Sequence, residues 1–376
     1  MVNIFEELGI SPVLNGHGNR TALGGNTPSS DVRAIMDAIE EHYVDMGQLA
    51  DSVGEKIAEM LDIEAVLITS GCAAALAVGA AACMTGDNPE KMELIPDTSD
   101  MPNEFIIQRQ LRVRYDRSMT IPGGKLVVIG DDNGTSHKQL EEAIGPNTAG
   151  IHYLAPGKPE SGALPIEDVI DIGHSKNIPI VVDAAGQVYP IENLSKYVKM
   201  GADLVAYGAK YFGSVNSSGM LTGRKELIDI ARTHSSIGFE STSVNSFGRP
   251  MKLDRQEIVA VYASLREWLT TNHEDRFAEY EARIENMKSA LSNIPGLTFF
   301  DSPSDLPPDG IGIKIDINVL GMSAQDIDQK LRAGNPSIWA RQPVNQDFLV
   351  FRMPTLKKGS EKIIVQKINE IINQYR

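Results

Sequence analysis

The chain has 376 residues, of which 42% are hydrophobic and 23% are charged, which is typical of a soluble globular protein with room for two domains. No apolar run approaches the roughly 20 residues of a membrane span, and the N-terminus lacks the pattern of a signal peptide, so we expect a cytoplasmic protein that contacts no membrane. The formal net charge of −15 argues against a nucleic-acid partner, because such binding depends on Lys and Arg contacts with phosphates.

The sequence pattern divides the chain into three parts. Residues 1–30 form an irregular, glycine-rich arm. Residues 31–253 alternate apolar strand segments with helical segments, which predicts an α/β domain with a mainly parallel sheet. Residues 254–376 begin with a long helical segment (254–292) and continue as a small α+β domain. We expect strands at 65–69, 104–108, 126–129, 150–154, 179–182 and 203–207, and in the small domain near 297–300, 311–317 and 347–352.

Ser70, Gly71, Cys72 and Ala73 lie where the first predicted strand passes into an alanine-rich helix. The free N–H groups and the dipole of a helix favour an anion at its start, and glycine lets the anion approach the backbone. The run is therefore a candidate phosphate site, although Ser and Gly also cap many turns that bind no ligand. Cys72 is either a reactive thiol at the helix start or a small packing residue.

Two charged residues follow apolar strand segments. Asp183 comes directly after the run 180–182, and Lys210 follows the run 204–207. The carboxyl ends of parallel strands open into one crevice, so both side chains should meet there. Pyridoxal 5'-phosphate (PLP) requires such a pair: the lysine forms a Schiff base, and the carboxylate keeps the pyridine nitrogen protonated. Two alternatives stay open, namely Asp183 as a helix cap and Lys210 as a lysine that reaches solvent.

These motifs resemble those of fold-type I PLP-dependent enzymes, within them the group similar to bacterial selenocysteine synthase and D-glucosaminate-6-phosphate ammonia-lyase. The resemblance covers nearly the whole chain. It implies an α/β fold with a mainly parallel, seven-stranded sheet in the large domain and a small C-terminal α+β domain. It rests on NGHGNRTALGG (15–25), TSGCAAA (69–75), QRQLR (108–112) with Tyr115 and Asp116, VDAAGQ (182–187), YGAK (207–210) and GRPMK (248–252).

The resemblance also implies roles for individual residues. Lys210 would hold PLP and later move the α-proton, while Asp183 would pair with the pyridine nitrogen. Residues 70–73 would bind the phosphate, and Gln187 would lie near the ring. Relatives carry a histidine stacked on the ring where this chain has Leu111, which can still cover the ring but cannot donate a hydrogen bond.

Arginine binds carboxylates and phosphates with two parallel hydrogen bonds, so arginines are the candidates for binding an anionic substrate. We consider Arg109, Arg112, Arg249 and Arg352, each of which could equally be a surface or ion-pair residue. No spacing of His, Cys, Asp and Glu suggests a metal site. The resemblance further implies a homo-oligomer, at least a dimer, in which a second subunit completes the site.

The leading hypothesis is a PLP-dependent lyase acting on a small anionic substrate, either a hydroxylated amino acid or an amino-sugar acid such as D-glucosaminate 6-phosphate. α,β-Elimination followed by hydrolysis would give a 2-keto acid and ammonia. An aldolase, racemase or transaminase stays open, since one cofactor supports all of these reactions. The acidic charge disfavours selenium transfer onto seryl-tRNA, and the Asp183–Lys210 pair disfavours a non-catalytic scaffold. The lack of a glycine fingerprint disfavours a nicotinamide dehydrogenase.

Overall fold

The structure is a computed structural model that describes residues 4–156, 160–302 and 307–374. It has two compact units, Pro28–Leu269 and a unit that joins Met1–Thr27 to Thr270–Arg376. The strands are β1 Val13–Asn15, β2 Ala65–Thr69, β3 Glu104–Gln108, β4 Lys125–Ile129, β5 Thr148–Leu154, β6 Ile180–Asp183, β7 Leu204–Gly208, β8 Gly219–Gly223, β9 Leu297–Ser302, β10 Gly310–Ile315, β11 Ser337–Trp339 and β12 Phe348–Arg352. The α-helices are α1 Ile4–Glu7, α2 Ser30–Glu40, α3 Met46–Leu61, α4 Cys72–Thr85, α5 Pro89–Leu94, α6 His137–Ala143, α7 Ile166–Ser175, α8 Asn193–Lys199, α9 Lys225–His234, α10 Ser236–Ser241, α11 Arg255–Thr270, α12 His273–Leu291, α13 Ile317–Leu320, α14 Ala324–Ala333 and α15 Ser360–Asn373.

The Pro28–Leu269 unit contains one seven-stranded sheet, with the strand order β2–β8–β7–β6–β5–β3–β4. β8 runs antiparallel to β2 and β7, and the other neighbouring pairs are parallel. β6 and β7 are buried at every position, which is why they appear in the sequence as continuous apolar runs. The mainly parallel, seven-stranded sheet is therefore confirmed. β8 is not among the predicted strands.

Helices cover both faces of this sheet. α4 is apolar around its whole circumference and packs on one face, among Phe105, Val181 and Leu204. The opposite face includes Val182 and packs against α3, α7 and α11. Because side chains alternate along a strand, Asp183 points to the same face as Val181, toward α4. The fold thus brings a carboxylate to the start of this helix.

The second unit has an α+β core of its own. Its three longer strands form an antiparallel sheet in the order β12–β10–β9, beside a parallel pair of β1 and β11. The backbone oxygen of Gly16 accepts a hydrogen bond from the amide of Arg352 at 2.7 Å. A Cβ atom at Gly16 would lie 2.7 Å from the ring of Phe351, so glycine permits this close approach. The described residues include no helix that is long and apolar enough to cross a bilayer.

The two units do not follow the predicted divisions at 30/31 and 253/254. Strand β1 ties the predicted arm to the C-terminal unit instead of leaving it separate. Helix α11 belongs to the large unit, because Ile258, Val261 and Leu265 are fully buried in its core. The predicted helical segment 254–292 is two helices, since Asn272 caps α12 by accepting hydrogen bonds from the amides of Glu274 and Asp275.

Candidate active site

Three connections of the large unit meet at the carboxyl edge of the sheet. β2 passes into α4 through Ser70 and Gly71, β6 ends at Asp183, and β7 is followed by a turn of 3-10 helix that carries Lys210. β6 pairs in parallel with β7, with Asp183 opposite Ala206, so the two strand ends are neighbours. The expected convergence of the acid, the lysine and the helix start on one edge is therefore present in the structure.

The start of α4 is built to face an anion. Gly71 is the N-cap residue with φ of +89°, and no side chain caps the helix. The first amide groups of the helix therefore lack a side-chain acceptor, which is the arrangement that binds phosphates. Strand β8 comes unusually close here, since a Cβ atom on Gly219 would lie 2.6 Å from the carbonyl carbon of Gly71 and 2.7 Å from the amide nitrogen of Cys72.

Asp183 is 5% exposed and is fixed by two donors. Its Oδ1 atom accepts hydrogen bonds from the amide of Ala185 at 3.0 Å and from the thiol of Cys72 at 3.5 Å. The alternative of a helix cap is wrong, because the next helix, α8, begins only at Asn193. A buried carboxylate held by its neighbours and aimed at the helix start is suited to a cationic ring nitrogen.

Cys72 is a hydrogen-bond donor in this site. Burial raises the pKa of its thiol well above the ordinary value, and the Asp183 carboxylate acts in the same direction, whereas Lys210 acts weakly against them. Because the thiolate is the reactive form of cysteine, this environment keeps Cys72 unreactive. Of the two interpretations of Cys72, the packing residue is the one that the structure bears out, because Cys72 packs against the core around α4. Its protonated thiol is in addition a hydrogen-bond partner of Asp183.

Lys210 is half-buried beside Tyr211, whose ring centroid is 5.3 Å from its Nζ atom. Its turn is anchored to the sheet through two backbone hydrogen bonds, from Gly208 to the oxygen of Ala185 and from Ala209 to the oxygen of Ser218, both 3.0 Å long. These bonds fix where the lysine leaves the sheet. An amine on a rigid turn next to an aromatic ring is well placed to attack a carbonyl carbon.

The other predicted contacts differ in their positions. Gln187 is half-buried and donates a hydrogen bond to the oxygen of Ala155 at 3.3 Å. Leu111 is only 1% exposed and belongs to the hydrophobic core. Almost none of its surface is left for a ring to stack on, so the structure does not support the predicted cofactor contact of Leu111.

Each of the predicted substrate arginines has a hydrogen-bond or ion-pair partner of its own in the structure. Arg109 is exposed after β3 and donates to the oxygen of Gly130 at 3.2 Å, and Arg249 pairs with Glu240 at 2.6 Å. Arg352 belongs to the other unit, where it pairs with Asp309 at 2.5 Å. Arg112 pairs with the buried Asp116. Substrate binding by these residues stays a prediction.

Two buried polar residues of the large unit, His152 and Asp116, were not among the predicted site residues, although Asp116 stands in one of the motifs that carry the resemblance. The Nδ1 atom of His152, on β5, lies 3.3 Å from the oxygen of Val181, and its Nε2 atom lies 4.0 Å from Oδ1 of Asp116. The second Asp116 oxygen accepts from the Arg112 side chain at 2.5 Å and from the Val113 amide at 3.0 Å. A lone histidine inside the apolar run 150–154 was the available signal.

Known proteins resemble this chain over its whole length. A D-glucosaminate-6-phosphate ammonia lyase from Salmonella typhimurium is 29% identical over 98% of each chain. A 5'-C-glycyluridine monooxygenase-decarboxylase from a Streptomyces species is also 29% identical, over 98% of this chain and 92% of its own. An L-seryl-tRNA(Sec) selenium transferase from Alkaliphilus oremlandii is 23% identical over 98% of this chain and 83% of its own.

The fold comparison agrees with these relatives. A solved structure of D-glucosaminate-6-phosphate ammonia-lyase matches with a TM-score of 0.87 and 27% identity, over 100% of this chain and 99% of that one. The family model described as aminotransferase class-V matches residues 33–339, which include the start of α4, Asp183 and Lys210. The chain therefore belongs to the aminotransferase class-V family of PLP-dependent, fold-type I enzymes.

Proposed function

We propose that this enzyme is an ammonia-lyase that converts a hydroxylated amino-sugar acid of the D-glucosaminate 6-phosphate type into a 2-keto acid and ammonia. The observation that carries the proposal is the whole-length match to such a lyase in both sequence and fold. The match in fold is far closer than a shared architecture requires, with a TM-score of 0.87.

The residues at the carboxyl edge fit PLP. The uncapped amides of α4, beside Gly71 and Gly219, would hold the phosphate, and the buried Asp183 would face the pyridine nitrogen. When bound, PLP withdraws electrons from the substrate's α-carbon. The fit depends on two features that a purely structural turn would not need together. No side chain caps the start of α4, and the buried Asp183 is hydrogen-bonded to the first residue of that helix.

The chain's own groups would carry the proton transfers. Lys210 stands on an anchored turn, so its amine would be placed to take the α-proton of a bound substrate. Loss of this proton and of the β-hydroxyl releases one water, and hydrolysis of the released enamine consumes one water. The net change is therefore the loss of ammonia and the formation of a 2-keto acid.

The substrate's anionic groups require cationic partners. Arg112 and Arg109 follow β3 on the same edge of the sheet as Asp183, and a guanidinium can bind a carboxylate or phosphate with two hydrogen bonds. Arg112 supports this role best, because Asp116 already fixes one side of its guanidinium. We also propose a homo-oligomer, at least a dimer, which light scattering of the purified enzyme would test.

The decisive experiment incubates the PLP-loaded enzyme with D-glucosaminate 6-phosphate and measures ammonia and 2-keto acid. We expect equal amounts of both, and none from Lys210→Ala. Two further substrates serve as comparisons: D-glucosaminate, which lacks the phosphate, and serine. If serine alone is converted, the substrate is a simpler hydroxylated amino acid. Recovery of unchanged substrate under all conditions would overturn the lyase proposal.

The Streptomyces relative, equally identical in sequence, makes an oxygen-dependent decarboxylation the second candidate. The same incubation separates the two reactions. An ammonia-lyase needs no oxygen and releases no carbon dioxide, whereas the second reaction consumes oxygen and releases carbon dioxide. Repeating the assay in oxygen-free buffer therefore distinguishes them, because only the lyase keeps its rate.

A further inference from the structure

A row of buried polar side chains lies beside Asp183. His152 is opposite Val181 in the register of β5 and β6, and both residues face α4 with Asp183, which is two positions further along. His152 and Asp116 are each 1% exposed. The row continues to Arg112, whose side chain is 40% exposed. A buried aspartate thus separates an exposed arginine from a buried histidine.

Two atoms in this row face each other without a hydrogen bond. Nε2 of His152 and Oδ1 of Asp116 are 4.0 Å apart, and both are buried without a hydrogen-bond partner. The carbonyl of Val181 can only accept, so Nδ1 of His152 carries the proton of the neutral ring. Nε2 then presents a lone pair to a carboxylate oxygen, and two acceptors form no bond.

Opposing effects act on the pKa of His152. Burial lowers the pKa of the imidazole below its ordinary value of 6.5 and outweighs the Asp183 and Asp116 carboxylates, which act in the opposite direction, while Arg112 assists burial. Helix α4, packed over the same face, carries no charged residue. His152 is therefore neutral at neutral pH.

We propose that His152 and Asp116 are positioning residues of the PLP site: the neutral ring of His152 leaves Asp183 to act as the counter-ion of the cofactor, and Asp116 holds Arg112 while one of its oxygens faces the ring. The proposal depends on the family's cofactor and not on the substrate proposed above. A proton on Nε2 would convert the facing atoms into an ion pair with Asp116. It would also place a cation beside Asp183, where it competes with the pyridine nitrogen for the carboxylate's charge.

Absorbance of the PLP-bound enzyme tests this proposal without substrate. We expect the bound-cofactor band of the wild type to change as the pH falls from about 8 to about 5, with a midpoint below 6.5. His152→Asn keeps a donor for the Val181 oxygen and removes the titrating ring, so this transition should vanish. In Asp116→Asn it should move to lower pH, because the Asp116 carboxylate raises the pKa of His152 and the variant removes that effect.

His234→Gln is the matched control. His234 is also fully buried in the large unit, and its Nε2 atom bonds Thr85 at the far end of α4. A glutamine can keep that bond, so the variant should show the wild-type transition. A transition that persists in His152→Asn, or is absent in the wild type, overturns the proposal.

Nitrogen NMR of histidine-labelled enzyme covers the case in which His152→Asn loses PLP. The signal missing from that variant identifies His152 in the wild type. We expect a neutral ring protonated at Nδ1 at neutral pH and a titration midpoint below 6.5. A ring protonated at both nitrogens at pH 7 would contradict the proposal. Neither measurement depends on whether D-glucosaminate 6-phosphate is a substrate.

Discussion

The thiol of Cys72 donates a hydrogen bond to Oδ1 of Asp183 over 3.5 Å, joining the first residue of α4 to the end of β6. The bond links the two places where PLP is expected to be held, the amides for its phosphate and the acid for its ring.

Replacing Asp183 with Asn should reduce ammonia release by on the order of 10²-fold or more, because the amide cannot balance a protonated pyridine nitrogen. The side chain keeps its shape, so the melting temperature should change little. Steady-state rates with saturating PLP measure the effect. Asp183→Glu, which keeps the charge but not the position, is the comparison. An Asn variant with the wild-type rate would remove Asp183 from the catalytic machinery.

Both cysteines should react slowly with alkylating reagents in the folded enzyme. Burial raises the pKa of the Cys83 thiol to about 12 and that of Cys72 well above its ordinary value. Three units of pKa lower the thiolate fraction roughly 1,000-fold at neutral pH. Labelling with iodoacetamide at pH 7, followed by mass spectrometry, measures each thiol. Unfolding in urea should restore ordinary rates, and rapid labelling of folded Cys72 would contradict the hydrogen bond.

Gly219→Ala should weaken PLP binding by about tenfold or more, since the new Cβ atom would lie 2.6 Å from Gly71 and displace the start of α4. The melting temperature should fall as well. Gly145→Ala is the control, because a Cβ atom there meets nothing within 4 Å. PLP titrations followed by absorbance compare the two variants. Equal PLP affinity in both would show that the close approach of β8 does not shape the phosphate site.

His234 should make the stability of the protein depend on pH. Burial lowers the pKa of this histidine from 6.5 to about 4. Between these pH values the histidine is therefore protonated in the unfolded chain but neutral in the folded protein. The resulting stability is full above pH 6.5 and is lost as the pH falls toward 4, by roughly 3 kcal/mol in total. Urea unfolding at several pH values between 4 and 6.5 gives the free energy of unfolding, which should change less steeply with pH in His234→Gln than in the wild type. An unchanged slope would contradict the burial effect.

The sequence predicts the parts of the fold that local pattern determines. β6 and β7 appear as continuous apolar runs because both of their faces are covered, and Asp183 and Lys210 stand out against those runs. β8 escapes prediction because glycines begin and end its five residues, GMLTG. Those same glycines permit close contacts of β8 with the start of α4, where the phosphate site is proposed.

Pairings between distant segments are the parts that the sequence does not reveal. Nothing in the three residues of β1 indicates that they pair with β11, more than 300 positions away. Likewise, the approach of Asp116 to His152 joins a 3-10 turn after β3 to strand β5, and the position of neither residue in the sequence indicates that the two face each other. Leu111, a cofactor contact implied by the resemblance, is buried in the core of the large unit, so this contact stays a prediction that the burial does not favour.

The pairing of β1 with β11 has a consequence for synthesis on the ribosome. The large unit is one continuous stretch, Pro28–Leu269, and can fold while later residues are still being made. The other unit combines residues 1–27 with residues 270–376, so Val13 can pair with Ser337 only after Ser337 has been synthesised. Strand β1 is therefore made before the large unit but is among the last segments to reach its native position, and until then Leu14, which packs against the core of the second unit in the folded protein, stays exposed.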